Sequence, residues 1–197
     1  MACDPDSTVA NPGCSPQRRA LLKSLGLVAS GLLPRMGAGA PTDPTKLAPQ
    51  LGDELWFPSW EATSRPIVAD EVLFNGAPLT AVPYDPIAKV LRESSRLNQI
   101  LVVRIAPTTD TKSGVLAYSG ICTHAACAVS EWNSESRQLL CPCHGSAFDP
   151  AARGAVTGGP ARRALPTLPV TITNGKLVVA GSFSAAVGAK KSWTTKS

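Results

Sequence analysis

Two short segments hold most of the residues able to do chemistry in this chain. The sequence has six cysteines and only two histidines. Both histidines and four of the cysteines lie between positions 122 and 144. The first segment runs Cys122-Thr-His124-Ala-Ala-Cys127, and thirteen residues later the second runs Cys141-Pro-Cys143-His144-Gly145-Ser146. Each offers one thiol–imidazole pair, Cys122-x-His124 or Cys141-x-x-His144. Thiolate and imidazole together suit iron or zinc, not calcium or magnesium, which take oxygen ligands. A pair closed over so few residues costs little loop entropy, so two such pairs on neighbouring loops make a closed four-ligand site. Two Cys and two His are also a structural zinc set. Against zinc stand the tight Cys122-x-His124 spacing and the two further cysteines, Cys127 and Cys143, which a zinc site leaves unused. No nucleophile, base or substrate pocket is legible outside these segments, so hydrolytic and group-transfer chemistry is not indicated.

The frame that must position these segments reads as β. Among 197 residues there are 16 Gly and 18 Pro, a load that suits short strands and many turns and disfavours a helix bundle. Apolar residues make up 44% and charged residues 17%, enough for a real core. The formal charge of +5 is not concentrated, and aromatic residues are 5%, so no nucleic-acid partner is expected. Residues 98–105, 114–118 and 138–140 read as strands, rich in β-branched and apolar residues. Residues 170–173 and 176–180 flank Asn174-Gly175, a two-residue link that predicts a hairpin with a type I′ turn. Asn75-Gly76 favours a tight turn after the apolar runs 66–69 and 71–74. The one helical hint is Ile87 to Arg96, where Ile87, Val90, Leu91 and Leu97 fall near one face. Between Ser119 and Pro166 no period is visible, and only a structured site justifies so long an irregular segment in a small domain. The expected fold is all-β, an antiparallel sandwich or barrel. Its base comprises residues 61–118 and 166–190, with a site-bearing subdomain inserted at 119–165. A linker at 41–60 leads in, and 191–197 form a flexible tail.

The pattern Cys-x-His with a second Cys three residues on, followed by Cys-Pro-Cys-His-Gly-Ser, resembles the Rieske [2Fe–2S] proteins, in which two His replace two Cys on one iron. The resemblance implies a Rieske-type β domain and one [2Fe–2S] cluster, with Cys122 and Cys141 on one iron and His124 and His144 on the other. It implies a disulfide between Cys127 and Cys143, as in the high-potential branch. It places Ser146 as a hydrogen-bond donor toward cluster sulfur, and Gly159 and Pro160 in a loop covering the cluster. Quinol-oxidising members usually carry Leu-Gly where this chain has Ala125-Ala126, and Tyr where it has Phe148. These departures count against the quinol-oxidising branch, and the compact body with the closing run 178–188 looks more like the small subunit of arsenite oxidase-type molybdenum enzymes, with the Rieske subunit of a quinol–cytochrome c reductase as the alternative. The implied function is one-electron relay without a catalytic site of its own, leaving through His124 and His144 at the exposed end. The implied partners are a larger redox subunit, such as a molybdenum oxidase, and a cytochrome or other acceptor, with quinol in the alternative. A structural Cys₂His₂ zinc module is the non-redox alternative.

Near the N-terminus, Pro16-Gln17-Arg18-Arg19-Ala20-Leu21-Leu22-Lys23 precedes a weakly apolar stretch to Leu33 and the small residues Ala38-Gly39-Ala40. This resembles a twin-arginine export signal. It implies that residues 1–40 are a leader or short N-terminal anchor, and that the protein is exported folded to the periplasm or the outer face of the cytoplasmic membrane. A structural disulfide agrees with a compartment outside the reducing cytosol. No stretch reaches 18 consecutive apolar residues, so membrane association is expected only through the N-terminal segment, if retained. Cys3 and Cys14 lie in that segment, outside ligand spacing.

Overall fold

A computed structural model of the chain describes residues 42–107 and 112–189. The leader, its arginine pair, Cys3, Cys14 and the expected tail at 191–197 lie outside the described residues. Twelve strands are present among the described residues. The first five are β1 (Glu54–Trp56), β2 (Leu79–Asp85), β3 (Val90–Leu91), β4 (Ile100–Arg104) and β5 (Val115–Ser119). The next four are β6 (Glu131–Asn133), β7 (Gln138–Cys141), β8 (Ser146–Asp149) and β9 (Ala155–Gly158). The last three are β10 (Thr167–Leu168), β11 (Val170–Thr173) and β12 (Lys176–Val179). The only helical turns among the described residues are 3₁₀ pieces at Pro44–Lys46, Ala69–Glu71 and Arg96–Asn98.

The larger sheet runs β10-β5-β4-β2-β1-β12-β11, with β3 also paired to β2, and all its pairings are antiparallel. Its two end strands, β10 and β11, are separated in sequence by Pro169 alone, so the sheet curls back on itself into a nearly closed barrel. The smaller sheet runs β6-β7-β8-β9. The 119–165 segment is therefore not irregular: it holds a complete four-stranded antiparallel subdomain. Its strands of three or four residues, interrupted by Gly, Pro and charged residues, are too short to establish a visible alternation.

The β4–β5 pair joins the two bodies. Along β4, Ile100 and Val102 enter the barrel core with Leu55, Ile67, Ala81 and Leu177. Leu101 and Val103 point the other way, into a second core with Tyr118, Val129, Leu139, Phe148 and Leu165. Residues on alternate sides of a strand face opposite sides of the sheet, and a strand covered on both faces reads as a continuous apolar run. This accounts for Ile100-Leu-Val-Val.

Asn174 and Gly175 have φ of 51° and 78°, as a type I′ turn requires, and Thr173 pairs with Lys176 across it. The expected helix at Ile87–Arg96 is a β-turn followed by β3 instead. Val90 and Leu91 pair with Asp85 and Tyr84, and Ile87 is 93% exposed, so the spacing that mimicked a helical face marks no face at all. The apolar run at 66–69 contributes isolated bridges, Pro66 to Trp56 and Val68 to Lys176. At the barrel's end Arg92, 4% exposed, bonds Asp53 at 2.9 Å, Asp85 at 2.7 Å and the Pro44 carbonyl at 2.9 Å. This network ties the Pro-rich approach to the barrel.

Candidate metal centre

The first cysteine–histidine segment forms a loop at the end of β5. The Gly120 amide donates to the Gln99 carbonyl at 2.7 Å and the Val129 amide to the Gly120 carbonyl at 2.8 Å, so the loop leaves and re-enters beside the start of β4. Inside it, the Cys122 amide donates to the Cys127 carbonyl at 2.8 Å and the Ala126 amide to the Cys122 carbonyl at 3.0 Å. Ala126 closes the turn with φ of 59°. A Cβ is disfavoured in that left-handed region, which gives a physical reason for the Gly that the resemblance expects there.

The second segment is the turn between β7 and β8. Cys141 ends β7, Ser146 begins β8, and the two pair across the ladder. Gly145, at φ of 71°, reverses the chain, and its amide donates to the Cys141 carbonyl at 3.1 Å. The thirteen intervening residues are not passive spacing. They contain the β6–β7 hairpin, whose turn is organised by Asn133 Oδ1 accepting from the amides of Glu135 and Ser136 at 3.0 and 2.9 Å.

A disulfide joins Cys127 of the first loop to Cys143 of the second, with Cα atoms 6.5 Å apart. Cys122 and Cys141 are free thiols and buried, 1% and 2% exposed. The His124 and His144 rings meet edge to face with centroids 4.8 Å apart. His124 is half-buried and His144 exposed. The sulfurs of Cys127, Cys141 and Cys143 lie within 4.8 Å of one another, but two of them are bonded to each other and have no thiolate to offer a metal. The available donors are the two free thiols and the two imidazoles. Burial pushes the Cys141 thiol up from its ordinary value. The Cys143 amide works against this, the neighbouring Cys122 thiol adds to it, and the His144 amide opposes it. A soft cation beside such thiols releases their protons on binding.

Around the donors, Ser146 is fully buried and its Oγ accepts from the Ala161 amide at 3.2 Å, which leaves its own proton free to donate. Gly159 has φ of 76°, and a Cβ there would lie 2.5 Å from the Gly145 carbonyl oxygen and from Ser146 Cα. Only glycine lets that backbone lie against the second loop. Pro160, next to it, is exposed. Phe148 is fully buried and shares the second core with Cys122 and Cys141. Sequence reasoning missed the polar contacts that brace the first loop from afar. The Arg96 guanidinium donates to the Ala126 carbonyl, and the Thr123 hydroxyl to the Arg163 carbonyl at 2.6 Å. These pairs are 30 and 40 residues apart, and no local pattern announces them.

Residues 86–169 match the family described as the Rieske [2Fe–2S] domain. A protein named as the Rieske subunit of a respiratory nitrate reductase from Haloferax mediterranei is 51% identical over 77 residues, which is 39% of this chain and 34% of that protein. The cytochrome bc1 complex Rieske iron–sulfur subunit of Corynebacterium diphtheriae is 49% identical over 73 residues, 36% of this chain and 18% of the relative. The Streptomyces lividans subunit of the same name is 36% identical over 98 residues, 45% of this chain and 58% of the relative. The match thus spans about a third or less of the first two relatives. Among solved structures, the ferredoxin of carbazole 1,9a-dioxygenase from Nocardioides aromaticivorans is 23% identical with a TM-score of 0.41, covering 60% of this chain and 96% of that one. Over residues 86–169 the chain is similar to the Rieske [2Fe–2S] domain family, and the two cysteine–histidine loops lie within that span.

Proposed function

We propose that the protein is the electron-relay subunit of an exported redox complex, holding one [2Fe–2S] cluster through Cys122 and Cys141 on one iron and His124 and His144 on the other. One observation carries this reading. Of the four cysteines in the two loops, two are spent on a disulfide and the other two remain as buried thiols, in loops that also bring two imidazoles together. The donor set fits the cluster. When bound, it takes up and releases one electron at a time. The chain's own part is to hold the thiol end in an apolar core, present the imidazole end toward solvent, and tie the two loops together with the disulfide.

The relatives named as bc1 Rieske subunits favour a cytochrome bc1-type complex, with a quinol donor and a cytochrome acceptor. The arsenite oxidase-type reading drawn from the compact body and the closing run 178–188 gains no support from these relatives, and neither does a molybdenum-oxidase partner. Export through the twin-arginine route remains part of the proposal. A cluster must be assembled before the chain crosses a membrane, and changing Arg18 and Arg19 to Lys is expected to trap loaded protein inside.

Purified protein should contain about two iron and two acid-labile sulfides per chain, and its reduced form should give the electron paramagnetic resonance of a mixed N/S-ligated cluster. Stoichiometric zinc without labile sulfide would establish the zinc module in its place.

A further inference from the structure

The rim of the metal-site tip is cationic, and we infer that it docks the acidic face of a protein electron acceptor. This inference rests on the electron-relay reading above. Three segments make the tip: the first loop, the second loop, and the stretch after β9 that lies against the second loop at Gly159. Residues 120–130, 141–148 and 159–168 contain no Asp or Glu. Arg162 and Arg163 lie in the third of these segments, and Arg96 reaches the first. Arg96 is exposed and its guanidinium rests on the Ala126 carbonyl, two residues past His124. Arg163 accepts from the Thr123 hydroxyl through its backbone, and its guanidinium donates to the Gly188 carbonyl at 2.6 Å and the Ala186 carbonyl at 3.4 Å. Gly188 itself packs on the first loop, since a Cβ there would lie 3.3 Å from both Ala126 and Ile121 side chains. Arg162 is exposed, three residues after Gly159.

The groups that hold Arg96 and Arg163 are carbonyls, which carry no net charge. Among the described residues no ion pair involves Arg96, Arg162 or Arg163. Three positive charges on or against the segments of the tip therefore have no ion-pair partner among the described residues, and two of them, Arg96 and Arg163, are fixed in place by hydrogen bonds. On the same segments the exposed Ala125, Pro142 and Pro160 offer small apolar contacts with little polar group to desolvate. Like-signed charge around a small apolar centre steers an oppositely charged partner and raises its encounter rate, while the small contact lets it leave, as redox encounters require.

The test uses the full-length, cluster-loaded protein in its reduced form. It is oxidised by rapid mixing with two probes of similar oxidising strength and opposite charge, hexacyanoferrate(III) and tris(phenanthroline)cobalt(III). The anionic probe should react faster at low ionic strength, slowing as salt is added, while the cationic probe speeds up. Arg162→Gln, whose side chain has no hydrogen-bond partner among the described residues, should slow the anionic probe about two- to threefold at low salt. Arg96→Gln and Arg163→Gln should act in the same direction. Lys112→Gln, in the β4–β5 connection at the opposite end of that strand pair from the first loop, should change the rate little. Rates insensitive to salt, or an equal loss on Lys112→Gln, would overturn the inference, because net charge alone would then be at work. If wild-type protein sediments with anionic phospholipid vesicles, Arg162→Gln does not, and their probe rates are equal, the arginines serve a lipid surface and the inference also fails. Absorbance and paramagnetic resonance before mixing report the cluster. Its absence would defeat the relay reading and this inference with it, and is told apart from the other failures by that spectrum.

Discussion

At the scale of a single residue, Phe148 is the ring through which the proposed cluster's potential is expected to be tunable. It is fully buried in the core shared by Cys122 and Cys141, and it has no donor. A hydroxyl donating to a ligand sulfur would stabilise the more electron-rich reduced state and raise the potential. A net hydrogen bond contributes about 1 kcal/mol, on the order of 40 mV for one electron. Phe148→Tyr is therefore expected to raise the midpoint by tens of millivolts in protein-film voltammetry at fixed pH. An unchanged midpoint with an intact cluster would mean that the added hydroxyl does not reach sulfur. The two cysteine–histidine segments were legible from sequence because each pair is closed over one or two residues. The conformational demands on their neighbours were only partly so. Gly159 announced a turn, but its contact with the second loop depends on a strand pairing, β8 with β9, that no local signal revealed.

Among the elements, the disulfide and the hairpins divide the work of bringing the two loops together. The β6–β7 hairpin returns the chain to the first loop, and the Cys127–Cys143 bridge, over a sequence separation of 16, locks that return. A bridge closing a loop of this size contributes about 3 kcal/mol in the chain-entropy view. Cys127→Ser with Cys143→Ser is expected to lower unfolding stability in urea by up to about that amount and to accelerate loss of the cluster's visible absorbance. Full retention of both would show the strands alone suffice. Alkylation of native, loaded protein followed by mass spectrometry should find the pair protected. Elements with strong local chemistry were readable: Asn174-Gly175 dictates its turn, and the β-branched run in β4 dictates a strand. Elements defined by partners were not. The Val90–Leu91 strand is two residues long and exists because β2 lies beside it, so its apolar spacing passed for a helix. Strands β6, β8 and β9 carry three or four residues each, and their pairing, not their composition, makes them strands.

At the scale of the whole molecule, an ionic knot holds the approach segment to the barrel. Arg92 and Asp53 are both buried, 4% and 2% exposed, and the guanidinium also reaches Asp85 and the Pro44 carbonyl. Removing one partner of a buried pair leaves an uncompensated charge, at a cost of about 3–5 kcal/mol. Arg92→Ala should therefore lower the urea midpoint strongly. A loss under about 1 kcal/mol would mean that water reaches Asp53. None of this was visible in the sequence, where Asp53, Asp85 and Arg92 look like ordinary surface charges. A pairing across 39 residues needs the fold to reveal it.

Because β4 belongs to both cores, the two bodies should not come apart in the order that their sizes suggest. Opening the smaller subdomain uncovers Leu101 and Val103 on one side of β4, whose other side anchors the barrel. In amide hydrogen exchange, β4 and β5 should protect as one unit, opening only when the entire barrel does, while the β6–β7 hairpin exchanges through a smaller local opening. Stripping the metal should then shorten protection first in 120–165 and reach β4 only as far as its outward face is loosened. Equal exchange in β4 and the hairpin would mean the two bodies unfold together as one cooperative block. Otherwise a chain that has lost its metal keeps a folded barrel, and the strand pair on which the site is rebuilt stays in place.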